Sequence, residues 1–209
     1  MILDFQSIKS KLHERLSLEL PGLKAHELMK VPGRGDYPLI PEKAKKAAVL
    51  LIIYKKLDHT FLAFIKRVTH EKDRHSGQIS FPGGSIEASD DYPIQTAIRE
   101  ANEEMGIPME VEIAGNLSPL YIPVSGFYVS PVVATYEQNF RFTPQISEVE
   151  EILEIDLQLL FKPSVKSKVN IPVSSNFLLR EVPCYNIQGT IIWGATAMIL
   201  SELEWVLKN

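Results

Sequence analysis

Three glutamates stand close together near the middle of the chain, within residues 99–106. On a helix, Glu100, Glu103 and Glu104 occupy positions i, i+3 and i+4, so their carboxylates share one face. Like charges at this spacing repel, at a cost of roughly 0.2–0.5 kcal/mol per pair. A divalent cation would neutralise them, and Mg²⁺ suits the arrangement because it takes oxygen ligands and keeps waters that phosphate oxygens replace. The alternative is a solvated, charged face on a surface helix.

The residues around this cluster favour the metal. Arg99 precedes Glu100, and its guanidinium is able to orient a carboxylate through paired hydrogen bonds. Upstream, Phe81-Pro82-Gly83-Gly84 is a tight turn by composition. Its glycines allow backbone groups to approach a phosphate or a metal without a Cβ in the way. Together with the acidic pair Asp90-Asp91, these residues predict a divalent-metal site that acts on a pyrophosphate.

Local signals predict the elements that hold these residues. Asp90-Asp91-Tyr92-Pro93 predicts a helix start, with an acidic cap followed by a proline in the first turn. The helix should extend to about Met105 and stop at Gly106. Before it, the apolar run 47–54 predicts a buried strand, and residues 61–65 predict a second strand that forms a hairpin with the first.

The rest of the chain alternates strand and helix signals. The spacing over residues 4–20 predicts an amphipathic helix ended by Pro21-Gly22, and residues 29–46 predict a loop. Residues 149–160 mix strand and helix signals, which leaves their type open. Further strands are predicted at 111–114, 120–123, 129–136 and 190–193, and a closing helix at 195–207. This order predicts an α+β protein, an α/β/α sandwich with a mixed β-sheet flanked by helices. We divide it into an N-terminal helix with a lead-in loop (1–46) and one domain (47–209).

The amino-acid composition indicates a globular protein. Hydrophobic residues make up 45% and charged residues 23% of 209 residues, as in globular proteins that bury a core without disulfides. The single cysteine, Cys184, is expected to be a small buried side chain rather than a catalytic thiol. No signal peptide is recognisable and no apolar run is long enough to cross a bilayer, so we expect a cytoplasmic protein. A net charge of -4 argues against nucleic-acid binding.

The segment from Gly84 to Ile107 resembles the signature of the Nudix hydrolase family. That signature is Gly, five residues, an acid, seven residues, then Arg-Glu-hydrophobic-any-Glu-Glu-any-Gly-hydrophobic. Here the first acid is Asp, and eight residues rather than seven separate Asp90 from Arg99. Counting back from Arg99 would select Asp91, so the identity of the first acid stays open. The matching residues are Gly84, Asp90, Arg99, Glu100, Ala101, Glu103, Glu104, Gly106 and Ile107.

Other segments resemble one branch of this family, the coenzyme A pyrophosphatases. That branch is similar in its extended loop with Asp and in the stretch before the signature, here Arg67 and residues 74–84. Trp193-Gly194-Ala195-Thr196-Ala197 and Glu148-Val149-Glu150-Glu151 resemble its C-terminal half. The resemblance covers roughly residues 47–207.

The resemblance implies a fold, a reaction and a set of roles. Glu100, Glu103 and Glu104 would bind one or more Mg²⁺ or Mn²⁺ ions, and the Gly84 carbonyl would add a ligand. The metal would activate a water that attacks the pyrophosphate. The products would be 3',5'-ADP and 4'-phosphopantetheine or its acyl form. Glu103 and Glu148 are both candidates for the general base, with Glu150 and Glu151 behind them.

Five residues are candidates for binding the substrate. Arg67 and Arg74 would pair with phosphates of coenzyme A, and His75 would donate a hydrogen bond. Alternatively, both arginines pair with acidic loops and His75 stabilises its own loop. Phe81 and Gly83 complete the set, although a phenylalanine in such a turn is more often a core anchor than an adenine-stacking residue.

Two other functions stay open at this point. One is a Nudix hydrolase that acts on another nucleoside diphosphate derivative, and the other is an inactive regulator that binds a nucleotide. Inactive relatives commonly lose a helix carboxylate, whereas all three are present here. In each case the partner is a small molecule, and whether the chain forms a homodimer is left open.

Overall fold

The structure is a computed structural model that describes residues 4–33, 40–68, 77–138, 140–174 and 177–209. Short 3-10 turns follow the second and fourth helices, at Glu27–Met29 and Pro163–Val165. Within the described ranges the α-helices are α1 (Phe5–Arg15), α2 (Leu23–His26), α3 (Pro93–Met105), α4 (Leu157–Leu160) and α5 (Gly194–Lys208). The strands there are β1 (Lys45–Lys56), β2 (His59–Arg67), β3 (Ile79–Ser80), β4 (Gly83–Ser85), β5 (Glu112–Asn116), β6 (Leu120–Ile122), β7 (Phe127–Tyr136), β8 (Val149–Asp156), β9 (Lys166–Ser174), β10 (Phe177–Ile187) and β11 (Thr190–Trp193).

The strands form a large mixed sheet and a small antiparallel one. The large sheet has the order β3-β2-β1-β7-β5, and β4, β6 and β8 extend it by pairing with β1, β7 and β2. β1 and β7 run parallel in register from Lys45↔Phe127 to Tyr54↔Tyr136, while the other pairs in this sheet are antiparallel. The small sheet has the order β11-β10-β9.

The central strand β1 faces two cores. Its residues Leu51 and Ile53 point to a cluster that includes α1 and α5, and the alternate residues Leu50 and Ile52 point to a cluster that includes α3. All four side chains are fully buried, as expected when side chains alternate along a strand that is covered on both faces. The predicted sandwich of helices on both faces of a mixed sheet is confirmed.

A short segment splits the large sheet beside its centre. β1 and β2 pair only near their turn, from Ile53↔Leu62 to Lys56↔His59, and then diverge. Residues 79–85 enter the gap, where β3 pairs with β2 and β4 pairs with β1. Among the described strands, no pairing joins β3 to β4. The turn between them therefore lies in a slot between two strands of the sheet.

Most predicted elements are confirmed, and two need correction. The helix over residues 93–105 ends at Gly106 in the left-handed conformation, with φ of 65°, as its glycine predicted. Its N-cap, however, is Tyr92, whose side chain makes no capping bond, so the predicted acidic cap is wrong. The first helix ends at Arg15 rather than near residue 20, because the chain turns at residues 16–18. Residues 149–160 divide into β8 followed by α4.

The N-terminal segment packs on the far end of the chain. Phe5, Ile8 and Leu12 of α1 are buried in the same cluster as Leu203 of α5. Cys184 is buried, as expected. Among the described residues, no helix is long and apolar enough to cross a membrane. The boundary between residues 1–46 and 47–209 stays a prediction.

Candidate active site

Helix α3 carries the three glutamates along the large sheet. It buries Ala97, Ala101 and Met105 against β1 and β7, and the two small alanine side chains let the helix backbone lie close to the strands. Glu100 and Glu104 extend from the adjoining face, one turn apart. This geometry places both carboxylates beside the glycine turn that enters the sheet.

Glu104 is the most deeply placed of the carboxylates. Its side chain is only 3% exposed, and it accepts a hydrogen bond of 2.9 Å from the Gly83 N–H. Arg67 Nη1 lies 3.4 Å from its other oxygen. Burial raises the pKa of Glu104 to about 7, even though Gly83 and Arg67 oppose the shift. A buried carboxylate of this kind stabilises a nearby cation more strongly than a solvated carboxylate does.

Glu100 fills the space beside Gly84. A Cβ on Gly84 would lie 2.4 Å from the Glu100 carboxylate carbon, so the glycine is needed for this contact. Arg99 Nη1 donates to Glu100 at 3.0 Å. Burial nevertheless raises the pKa of Glu100, and the charges of Glu103 and Glu148 add to the shift. The glycine turn therefore allows a close approach, as predicted, but the group that lies against it is the Glu100 carboxylate.

Arg99 connects the helix with the loop that precedes it. Its Nη2 donates to Asp90 at 3.0 Å, and its Nη1 lies 3.5 Å from Glu103. Asp90 also accepts from the Thr96 hydroxyl at 2.8 Å and from the Glu87 N–H at 3.0 Å. The hydrogen bond from Arg99 is the main reason that the pKa of Asp90 lies below its ordinary value.

These contacts resolve the identity of the first acid. Asp90 accepts the bonds from Arg99, Thr96 and Glu87, while Asp91 is exposed and donates its backbone N–H to the Gln95 side chain. The extra residue of the loop lies after the acid rather than before it. Thr96 is a site residue that the sequence did not reveal, since a threonine within a helix carries no distinguishing signal.

Glu148 comes to the same site from the other side of β2. Its backbone carbonyl accepts from the Val68 N–H at 2.9 Å, which fixes it next to Arg67. Its side chain is exposed, and its charge raises the pKa of both Glu100 and Glu104. The distant acid proposed from the sequence therefore lies near the helix carboxylates.

The acids that follow Glu148 point elsewhere. Glu150 pairs with Lys66 at 2.5 Å, and Glu151 lies beside a separate cavity described below. Glu148 is thus the residue of this segment that the fold brings to the glutamate cluster.

The donor set fits a divalent cation. The charge of Glu148 raises the pKa of Glu100 and Glu104, so negative charge is concentrated at this place despite the two arginines. As the side chains stand, no three acids or histidines of the described ranges meet closely enough to hold a metal ion. Glu100 and Glu103 are drawn to Arg99, and Glu104 to Gly83. Binding a metal would therefore require these side chains to rotate away from their present partners.

The structure places the residues predicted to bind the substrate in different environments. Phe81 is 3% exposed and stacks on Phe64 with ring centroids 4.9 Å apart, so its assignment to substrate binding is wrong and it anchors the core. Gly83 uses its N–H for Glu104 instead of a phosphate. Arg67 pairs with Glu104 and keeps a third of its side chain exposed. Arg74 and His75 lie outside the described residues.

Comparisons with known proteins agree on the family. The NUDIX domain family matches residues 44–164, more than half of the chain. A protein named Uncharacterized Nudix hydrolase NudL, from Pectobacterium atrosepticum, is 36% identical over 166 residues, which cover 79% of this chain and 84% of that protein. The protein of the same name from Enterobacter sp. is 34% identical over 160 residues, covering 76% and 81%.

Two solved structures align with part of the chain at low identity. The C. elegans Ap4A hydrolase aligns with a TM-score of 0.46 and 20% identity, over 55% of this chain and 81% of that chain. The NUDIX domain of Shewanella oneidensis NrtR complexed with ADP ribose aligns with a TM-score of 0.43 and 16% identity, over 59% and 80%. From the domain match and the relatives above 30% identity, the chain belongs to the Nudix hydrolase family.

Proposed function

We propose that this protein hydrolyses the pyrophosphate bond of coenzyme A or an acyl-coenzyme A. The products are 3',5'-ADP and 4'-phosphopantetheine or its acyl form. The observation that carries the reaction type is the meeting of Glu100 and Glu104 with the glycine turn, with Glu148 beside them. Crowded carboxylates next to a turn with close backbone approach suit a metal-bound diphosphate.

The cofactor in this proposal is Mg²⁺ or Mn²⁺, since Nudix hydrolases generally need divalent metal ions. Glu100, Glu103 and Glu104 would hold it, with the Gly84 carbonyl as a further oxygen ligand. Bound there, the metal polarises phosphate oxygens and lowers the pKa of a coordinated water. Arg99 holds the carboxylates of Glu100 and Glu103 in place from one side, and Arg67 and Gly83 hold Glu104 from the other.

Glu148 is the general base in this proposal. A base must reach the attacking water and be open to solvent for proton release. Glu148 is exposed, and its charge raises the pKa of both Glu100 and Glu104. Glu103 is the other candidate, but it is 59% exposed at the outer side of Arg99, which suits a metal ligand or a water-mediated contact better.

The choice of coenzyme A follows from the resemblance around residues 67–84. Arg67 is placed beside Glu104 with a third of its side chain exposed, so it borders the diphosphate position. In the proposal Arg74 and His75 belong to the same phosphate-binding segment, because they precede the turn directly in sequence. Guanidinium groups bind phosphates through paired hydrogen bonds, which suits a substrate with a phosphate beyond its diphosphate.

Product analysis by mass spectrometry tests the proposal. The protein is incubated with Mg²⁺ and, in separate reactions, coenzyme A, acetyl-coenzyme A, ADP-ribose and a dinucleoside tetraphosphate. We expect 3',5'-ADP and the matching phosphopantetheine from the first two, with the highest kcat/KM. Faster cleavage of ADP-ribose or the dinucleotide would assign the chain to another substrate class. Binding without any cleavage in the panel would favour a regulator.

A further inference from the structure

A second site lies on the opposite side of the large sheet from the glutamates. A cavity of about 560 Å³ separates the small sheet from β3 and β8, within the size range of small-molecule sites. Ile79 and Leu153 line it from the large sheet. Ile171, Ile191 and Trp193 line it from the small sheet. None of these residues has a role in the reaction described so far.

One wall of this cavity is built by residues that follow the NUDIX domain match. The match ends at residue 164, and β9, β10 and β11 all follow it. The wall with Ile171, Ile191 and Trp193 therefore belongs to the small sheet, outside the matched domain. A wall that leaves a cavity instead of filling it with side chains points to a ligand.

The cavity is linked to the glutamate site by two stretches of the chain. Lys66 lines the cavity, and the next residue, Arg67, contacts Glu104. The segment that begins with Gly77 and Ile79 at the cavity continues to Gly84 at Glu100. Between these two ends the turn of this segment, with Phe81 buried, occupies the gap between β1 and β2.

The length of that segment limits the distance between the two sites. Ile79 and Gly84 are five residues apart in sequence, so they lie at most about 17 Å apart. A flexible chain of roughly a dozen bonded atoms between a diphosphate and its far end would span a distance of this order.

The lining of the cavity selects an uncharged chain. Its charged side chains are one cation, Lys66, and one anion, Glu151, so the walls carry no net charge. Lys66 is also paired with Glu150, which leaves little attraction for a phosphate. The remaining large side chains are aliphatic, apart from Gln78 and Trp193, so the lining would contact both methylene groups and amides.

We infer that this cavity binds the uncharged arm of the substrate, on the far side of the diphosphate from the nucleotide. For the substrate class proposed above, this is the pantetheine arm with any acyl group attached to its sulfur. The inference rests on the proposed function, which it deepens by assigning the small sheet to substrate choice. The nucleotide and its extra phosphate remain on the side of Arg67.

Fluorescence of Trp193 tests the inference without any turnover. The chain has two tryptophans, so the variant Trp205→Phe leaves Trp193 as the sole reporter. It is titrated with pantetheine, with S-octanoyl pantetheine and with 3',5'-ADP, none of which contains a pyrophosphate bond. We expect saturable changes in emission with the first two, tighter for the acyl form, and none with 3',5'-ADP. A response to 3',5'-ADP alone would overturn the inference.

A charge placed in the cavity provides the second test. Ile171→Glu should raise the KM for octanoyl-coenzyme A by about tenfold or more with kcat little changed, because a carboxylate there must be desolvated by the arm. The matched control is Leu178→Glu, on the same small sheet, where the side chain is 45% exposed and does not line the cavity. Circular dichroism checks that both variants fold.

The two proposals fail in different ways. If the protein cleaves octanoyl-coenzyme A and Ile171→Glu behaves like Leu178→Glu, the cavity assignment is wrong and the proposed function stands. If no diphosphate is cleaved but acyl pantetheine still changes Trp193 emission, the proposed function is wrong and the arm site stands. If no diphosphate is cleaved and Trp193 emission does not change, both proposals are wrong.

Discussion

Arg99 and Asp90, nine residues apart, form an ion pair of 3.0 Å that joins the middle of α3 to the loop before it. Through this pair the loop controls the direction of the guanidinium, which in turn contacts Glu100 at 3.0 Å. Asp90 thus positions the arginine, while the proposed function assigns the metal to the helix carboxylates.

The first prediction separates the two neighbouring acids of that loop. Asp90→Asn should lower kcat by roughly 10- to 100-fold, because Arg99 loses its charged partner and the Glu100 side chain loses its orientation. Asp91→Asn is the matched control and should stay near wild type, since its side chain is exposed. Steady-state kinetics with coenzyme A measure both. Equal losses in the two variants would contradict the assignment of the first acid.

The second prediction concerns the two glycines of the turn. Gly84→Ala places a Cβ 2.4 Å from the Glu100 carboxylate, a flexible side-chain end, so it should lower kcat by on the order of 100-fold with little change in Tm. Gly83→Ala places a Cβ 2.2 Å from the Ala48 carbonyl oxygen, which is backbone, at a φ of +153°. We expect it to lower the free energy of unfolding by about 2 kcal/mol or more.

Thermal unfolding and kinetics together check this contrast. Ser85→Ala is the control for the same strand, because Ser85 is exposed and should tolerate the change in both assays. A stable and fully active Gly84→Ala variant would show that Glu100 does not need its place beside the turn.

The third prediction tests the helix glutamates. Glu104→Gln should reduce turnover on the order of 10³-fold, since the neutral amide no longer stabilises the cation that polarises the diphosphate. Its Tm in the presence of a chelator should equal or exceed that of wild type, because the amide oxygen still accepts from Gly83 and a buried charge is removed. Glu103→Gln should also lose activity. Glu110→Gln, at an exposed position outside the site, is the control.

The fourth prediction concerns the phosphate-binding arginines. Arg67→Ala and Arg74→Ala should each weaken binding of coenzyme A more than binding of dephospho-coenzyme A, by about tenfold, because a charged hydrogen bond to the extra phosphate is lost. Competition binding in the absence of metal measures the ratio. If a variant binds coenzyme A and dephospho-coenzyme A with equally reduced affinity, the arginine replaced in it does not contact the 3'-phosphate.

The fifth prediction is a pH dependence of stability that arises away from the active site. Glu202 is fully buried, and its carboxylate accepts from the Ser118 hydroxyl at 2.6 Å and lies 3.1 Å from His26 Nε2. Burial raises the pKa of Glu202, but the bonds from His26 and Ser118 outweigh it and leave the pKa below its ordinary value of 4.5. Its contribution is therefore present above about pH 4.5 and is lost as the pH falls through the lower folded pKa.

Glu202→Gln should abolish that part of the acid sensitivity. At pH 7 it should lower the free energy of unfolding by roughly 2–4 kcal/mol, because it removes a charge to which buried donors point. Denaturant unfolding between pH 3 and pH 7 measures both effects. Glu112→Gln is the surface comparison, since that carboxylate is 48% exposed and should matter much less. An unchanged pH profile for Glu202→Gln would contradict the role of this network.

The helix and its glutamates could be predicted because their signals are local. The proline at its start, the glycine at its end and the i, i+3, i+4 spacing of the acids are all properties of one short segment. The long apolar run that became β1 and its hairpin with β2 were predictable for the same reason. The choice between Asp90 and Asp91 was not, because it depends on which carboxylate reaches Thr96 and Arg99 in three dimensions.

The strands that complete the two sites lack local signals. β3 and β4 have two and three residues in a glycine- and proline-containing turn, too short for any periodicity. They exist because the diverging β1 and β2 leave backbone groups that need partners. β9 and β10 each contain a proline and their pairing is interrupted by bulges, which weakens the strand pattern. The cavity that they enclose was therefore absent from the sequence-based prediction.

The insertion of residues 79–85 between β1 and β2 also orders the assembly of the protein. One end of this segment pairs with β2 and the other end pairs with β1. The segment therefore cannot pair at both ends until both strands of the hairpin have formed. A folding intermediate with only the hairpin and helix would have its glutamates but no turn to gather them. The turn that gathers the glutamates therefore takes its place only after the strands that flank it, so the candidate site is completed later than the hairpin.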